Sequence, residues 1–229
     1  MGCSGLLQLC VRPRTLEPTA PWRSRTAVMT DSPLLLALHS CTERFGVAVQ
    51  DPLVDQGRMR VLGFDDGRSL SNTLIERVVS VVPNGRWCEF KGLAVATGPG
   101  GFTGTRLSVV MARTLAQQLG CPLLGVSSFA LMAQRLAPDE QPFWITQLLP
   151  RRGVVAGEYR VRAAVVEERQ APHLLEPDQL VSPAVEAVVD VDADVATLLG
   201  CLQQALQRDE PLPWQPVLPI YPTSPVGPV

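Results

Sequence analysis

Between residues 92 and 119, an apolar strand-like run passes into a helix-like run through four glycines in seven positions, Gly98-Pro-Gly-Gly-Phe-Thr-Gly104. A strand that ends in such a loop and restarts as a helix belongs to a layered α/β architecture, because each element has an apolar face that only the other can cover. The flanking sequence repeats the alternation. Residues 34–38, 45–50 and 58–64 read as strands. Residues 70–82 change to a helical period, with Ser69 or Ser71 as start and Pro83-Asn84-Gly85 as stop. A strand over 92–97, a helix over 105–119 closed by Gly120 in the left-handed region, a strand over 122–126 and a helix capped by Ser127 or Ser128 through Leu136 follow. The order β-β-β-α-β-α-β-α predicts a mixed sheet with helices packed on it.

After Pro138 the signals weaken. Residues 143–149 and 157–166 read as strands and 198–206 as a short helix. Residues 211–229 hold seven prolines in 19 positions and read as an extended strap over the surface. The expected organisation is therefore a foreign or disordered extension over 1–28, an N-terminal lobe with the glycine loop over 29–137, a smaller C-terminal lobe over 138–210 and a proline-rich tail over 211–229. The extension carries Arg12, Arg14, Arg23 and Arg25 against one acid, Glu17, without periodicity. It reads as a miscalled start with Met29 the true one, as an Arg-rich targeting segment or as a disordered tail, the first being favoured because a compact pattern begins so soon after Met29.

Several function classes are excluded early. The chain carries 20 basic and 22 acidic residues, and from Met29 onward 16 and 21. Autonomous nucleic-acid binding needs a basic surface, so this chain is not expected to bind nucleic acid on its own. No apolar run approaches the roughly 18 residues of a membrane span. Six scattered cysteines without a Cys-x-x-Cys pair argue against a disulfide framework or zinc knuckle and fit a cytoplasmic protein. The two histidines, His39 and His173, form no metal-binding spacing, so no metal and no cofactor are expected. The one lysine, Lys91, follows no glycine loop, which removes a Walker-type site.

The glycine loop itself has two readings. Glycines let backbone N–H groups converge beside a helix N-terminus, which makes Gly98, Gly100, Gly101, Thr103, Gly104 and Arg106 a weak candidate nucleotide site. The plainer reading is a tight turn whose glycines only allow helix and sheet to approach closely. No catalytic residue is identified. Ser127 and Ser128 have no His at useful spacing, and Asp65-Asp66 and Glu167-Glu168 read as solvated charges. Arg151-Arg152 reads as a solvated turn or an RNA or nucleotide contact in an assembled complex.

The whole string from Gly98 to Arg106 resembles the Gly-Pro-Gly-Ser-Phe-Thr-Gly-Leu-Arg signature of the TsaB (YeaZ) family. Leu124-Gly-Val-Ser-Ser128 is similar to that family's Gly-Ile-Ser-Ser, residues 34–42 resemble its opening strand, and Pro219-Ile-Tyr221 is similar to its closing Pro-x-Tyr. The resemblance is specific over residues 34–136 and loose beyond. It implies an actin/Hsp70-like ATPase (ribonuclease H-like) α/β lobe with a mixed sheet and flanking helices, plus a smaller, degenerate second lobe. It also implies a role in forming threonylcarbamoyladenosine at tRNA position 37. Three departures point away from catalysis: His39 stands where the family has Asp, Leu70 where it often has His, and Leu149-Pro-Arg-Arg-Gly153 where it has Asp-Ala-Arg-x-Gly.

The helices over 70–82 and 105–119 carry apolar residues around more than the ~100° stripe that packing on one sheet requires. The surplus is covered either by the chain's own second lobe or by a partner. The resemblance implies a partner, since TsaB-like proteins pair through these helices with themselves or with the catalytic TsaD paralogue. The expected interface is Leu74, Ile75, Val78, Val82, Leu107, Val110, Met111 and Leu115. The resulting expectation is a non-catalytic scaffold subunit that binds a TsaD-like catalytic subunit, with a TsaE-like ATPase alongside and a homodimer as a further state. The rivals are an independent ATPase using the glycine loop and, nearly excluded by the missing histidine pair, a metallopeptidase.

Overall fold

The computed structural model describes residues 33–82, 85–150, 152–163 and 165–222. The expected 1–28 extension, the Pro83-Asn84 stop, Arg151 and residues 223–229 of the tail lie outside them.

The first half follows the expected element order. Strands β1 (Leu34–His39), β2 (Phe45–Gln50) and β3 (Met59–Phe64) precede helix α1 (Leu70–Val81). Strand β4 (Phe90–Ala96), helix α2 (Phe102–Leu119), strand β5 (Leu123–Val126) and helix α3 (Ser128–Leu136) follow. They build a five-stranded sheet in the order β3-β2-β1-β4-β5. β1 pairs antiparallel with β2 but parallel with β4, so the sheet is mixed. β1 is apolar at every position except His39 because both of its faces are covered. Leu34, Leu36 and Leu38 face α1 and α2, while Leu35 and Ala37 face the opposite side. Gly120 adopts a φ of 64° and closes α2, and the Ser127 hydroxyl accepts from Ala130 N to cap α3, both as the sequence predicts.

The second half departs further from expectation. Strands β6 (Phe143–Leu149), β7 (Gly153–Arg162), β8 (Val165–Leu174) and β9 (Ala184–Glu186) form a second sheet ordered β8-β7-β6-β9. The strand expected over 157–166 is in fact the end of one strand and the start of another, joined at Ala163, whose φ is 47°. The short helix expected over 198–206 is the last part of α4 (Val191–Gln207), started by the Asp190 side chain accepting from Ala193 N. Although it lies in the segment expected as the second lobe, α4 returns to the first sheet. Its Val195, Leu198, Leu199 and Leu202 are buried with Leu35, Ala37, Ala48 and Ala94. Burial of each such aliphatic side chain is worth about 1.5–3 kcal/mol, which is why this face is not left in water. α3 covers the second sheet with Phe129 and Met132 against Phe143, Ile145 and Tyr159. No helix among the described residues is long and apolar enough to cross a membrane.

Candidate functional site

The glycine loop, the β1–β2 turn and the first turns of α1 and α2 meet at one place. α2 begins at Phe102, three residues before its expected start, so Phe102, Thr103 and Gly104 belong to its first turn. The N-cap is Gly101 and no side chain caps the helix.

The loop glycines have a packing reason. A Cβ on Gly100 would lie 2.1 Å from the Cys41 carbonyl oxygen, and one on Gly104 would lie 2.5 Å from that of Ser40. Real Cβ atoms do not approach so closely, so the β1–β2 turn can lie on the loop only where side chains are missing. Hydrogen bonds hold the contact: Gly101 N donates to Cys41 O at 2.7 Å, and Ser40 Oγ donates to Gly104 O at 2.8 Å. Ser40 Oγ also shares a hydrogen bond with Ser108 Oγ at 2.6 Å. On the other side, Ser128 donates to the loop through its N–H to Gly98 O at 2.7 Å and through Oγ to Pro99 O at 2.6 Å. The close-approach reading of the glycines is thus the one with contacts behind it. Of the six nucleotide-site candidates, Gly101, Thr103 and Gly104 face an open groove, Gly98 is buried, Gly100 packs on the β1–β2 turn, and Arg106 is exposed on α2. The groove measures about 610 Å³ and is also lined by Thr42, Glu43, Arg68, Ser71 and Leu107.

His39 ends β1 behind this loop. It is wholly buried, and its two ring nitrogens have no hydrogen-bond partner among the described residues. By strand alternation it points to the α4 side of the sheet, with Leu35, Ala37 and Cys41. Burial in this apolar layer lowers its pKa to about 4, against the smaller opposing effect of its own backbone, so the imidazole is neutral at pH 7. The neighbouring Cys41 thiol is pushed up to about 11, again first by burial. A neutral ring and an un-ionised thiol supply neither a hard metal ligand nor a thiolate nucleophile at this strand end.

The charges around the site are structural. Arg44 pairs with Asp65 and Asp192, tying the β1–β2 turn to β3 and α4. Asp66, expected as solvated, is instead mostly buried against Arg77 at 2.9 Å, and the Arg77 hydrogen bond holds its carboxyl below the usual range. Glu168 is exposed, as expected, yet it accepts from Ser127 Oγ at 2.8 Å and from Tyr159 OH at 3.1 Å, a bridge between the end of β5 and the second sheet. Sequence reasoning missed that bridge because Glu168 and Tyr159 reach Ser127 only once β7 and β8 fold as a hairpin. Asp194, fully enclosed on α4, pairs with Arg135 of α3 at 2.7 Å.

The expected interface residues divide into two groups. Leu74, Val78 and Val82 are buried in the chain's own core and are removed from the contact surface, because α1 turns this stripe onto the sheet. Leu107, Met111 and Leu115 are half-buried at the core margin. Ile75 and Val110 stand out in solvent, 64% and 53% exposed. Ser71 and Leu107 line one wall and floor of the same groove, and one helical turn further on lie Ile75 and the pair Val110–Met111. Beyond the groove, exposed Ile75 and Val110 and half-buried Met111 and Leu115 thus form a short apolar ridge across the two helices, flanked by Glu76 and Arg106. From Phe102 to Leu119 the only charged residues are Arg106 and Arg113.

With this geometry in hand, comparison with known proteins is decisive. Residues 72–187, just over half of the 229-residue chain, match the family described as TsaD: tRNA N6-adenosine threonylcarbamoyltransferase. The chain belongs to the TsaD family. Its architecture is that of YeaZ (TsaB) proteins. A Pseudomonas aeruginosa protein with similarity to peptidase YeaZ superposes with a TM-score of 0.65 at 21% identity, over 83% of this chain and 100% of that one. YeaZ from Pseudomonas aeruginosa superposes with a TM-score of 0.60 at 21% identity, over 82% and 99%. No curated protein matches the chain. The TsaB/YeaZ resemblance carried by residues 98–106 and 124–128 therefore agrees with both the family match and the fold.

Proposed function

We propose that this chain is a non-catalytic subunit in N6-threonylcarbamoyladenosine modification of tRNA at position 37, and that it docks a TsaD-like catalytic subunit through α1 and α2. The observation that carries this reading is the α1/α2 ridge, where exposed Ile75 and Val110 and half-buried Leu107, Met111 and Leu115 present apolar surface beside the charged Glu76 and Arg106. An apolar patch rimmed by polar residues marks an association site. Family membership supplies the reaction, and the strand end supplies the argument for a non-catalytic part. His39 occupies the position of the family's acid, is enclosed and is neutral at pH 7. Metal, nucleotide and chemistry then belong to the partner, with a TsaE-like ATPase alongside, in the cytoplasm, and tRNA meets this chain only through the complex. A homodimer through the same ridge is the competing state that the partner displaces.

Co-expression with a TsaD-type subunit under reducing conditions tests this reading. The wild-type chain is expected to co-purify, and Ile75→Asp and Val110→Asp are expected to lose the partner while remaining folded. Equal capture by both variants would contradict it.

A further inference from the structure

The proline-rich tail makes more contacts than a passive end requires. Leu212 O accepts from Leu123 N at 3.0 Å, so the tail joins the edge strand β5 where the first sheet would otherwise stop. Val217 is buried, and a Cβ on Gly125 of β5 would come within 2.8 Å of its side chain. Arg113 of α2 reaches over the tail, donating from Nη1 to Val217 O at 2.7 Å while its guanidinium lies 5.5 Å from the centre of the Trp214 ring. Ile220 N then donates to Thr97 O at 2.7 Å at the end of β4. Its carbonyl sits 2.9 Å from where a Cβ on Gly98 would be, and Gly98, with a φ of 104°, is a position that a larger residue could not share. Finally the Tyr221 ring packs on Phe102, the first residue of α2, at 4.7 Å. Pro211, Pro213, Pro216, Pro219 and Pro222 fix φ at five positions on either side of and within the turn in which Val217 N donates to Trp214 O, so little freedom is lost when the segment seats.

We propose that residues 211–222 are a clasp that fixes the glycine loop and the first turn of α2 from the flank opposite α1, and that it thereby sets the partner-binding ridge. This rests on the docking reading of α1 and α2. The clasp leaves the ridge itself open: Arg113 and Phe102 point to the tail, whereas Val110 lies on the exposed side of α2. Freeing the tail would strip Tyr221 from the already partly exposed Phe102, release Thr97 O and leave Gly98 without its neighbour, loosening the turn that positions Thr103 and Leu107.

The test uses the full-length chain with Arg113→Gln, the full-length chain with Tyr221→Ser, and a chain ending at Glu210. Amide exchange of α2 residues 102–109 is read against α3 residues 128–136, together with capture of the TsaD-type subunit. Exchange in the first turn of α2 is expected to rise about tenfold in the variants while α3 changes little, as for a locally released unit. Capture is expected to weaken several-fold. If neither point variant changes α2 exchange, the clasp is refuted, whatever the shortened chain does. If exchange rises but capture is unchanged, its link to the ridge is refuted. Ile75→Asp, with the tail intact, checks docking separately. If that variant captures normally, the docking reading fails and the exchange data alone decide the clasp.

Discussion

The same substitution in two helices should have opposite signs here, and the structure states why. Gly104 and Gly200 are both inside helices, α2 and α4. Replacing an interior helical glycine with alanine ordinarily stabilises by about 0.5–1 kcal/mol, because alanine loses less backbone freedom on folding. At Gly200 a Cβ meets nothing within 4 Å, so Gly200→Ala should gain that amount. At Gly104 the same methyl lies 2.5 Å from the Ser40 backbone oxygen, which is itself tied to the loop by the Ser40 Oγ hydrogen bond to Gly104 O. Neither group is a flexible side-chain end, so the β1–β2 turn must move away. Overpacking of this kind costs about 1–3 kcal/mol, which outweighs the propensity gain. Gly104→Ala should therefore be destabilised by roughly 1 kcal/mol net, a fall of about 2–4 °C in Tm for a domain of this size. Urea and thermal unfolding of the two variants beside wild type measure it. A Gly104→Ala variant as stable as wild type would refute the close-packing account of the glycine loop and reopen a site vacant for a ligand.

Three further outcomes follow from the buried charges and the clasp. The folded-state pKa of His39, about 4, lies below that of an exposed imidazole, so the unfolded chain takes up the proton first as pH falls. The His39 contribution is intact above about pH 6.5 and declines down to about pH 4, by roughly 3 kcal/mol at most, and His39→Leu should flatten that part of the stability–pH curve. Arg135→Ala leaves Asp194 enclosed without its cation and should cost about 3–5 kcal/mol in urea unfolding, whereas Arg169→Ala, at an exposed pair, should cost less than about 1 kcal/mol. Val217→Ala should destabilise the chain and raise exchange at the β5 edge, as detected by hydrogen exchange, because Val217 fills the space over Gly125.

Most of the first sheet was legible because its strands are continuous apolar runs and its helices have glycine or serine at their ends. β8 was not, because Glu167, Glu168, Arg169 and Pro172 suit an exposed edge strand and give no alternation. Its strand state comes from pairing with β7, a tertiary fact. The start of α4 was missed although the Asp190 cap was present in the sequence, since Asp192 and Asp194 mask the apolar stripe that Val191 and Val195 begin. At the site, the string from Gly98 to Arg106 was readable as a loop, but spacing cannot tell a cradle for a phosphate from a seat for Ser40 and Cys41. The broad apolar circumference of α1 was also readable. Which part of it faces water was not, because the sheet claims Leu74 and Val78 and leaves Ile75. The tail's course was legible only as an extended strap; that it ends on Gly98 and Phe102 depends on contacts some 120 residues apart in sequence.

The central claim is that Ile75 and Val110 are the middle of a surface for a TsaD-like subunit. Titration calorimetry of the purified chain with that subunit measures it directly. The account predicts saturable binding by wild type and a loss of at least about tenfold for Ile75→Asp and for Val110→Asp, the scale of a central interface residue, with unfolding free energies within about 0.5 kcal/mol of wild type. Binding that is equally tight in both variants would contradict it.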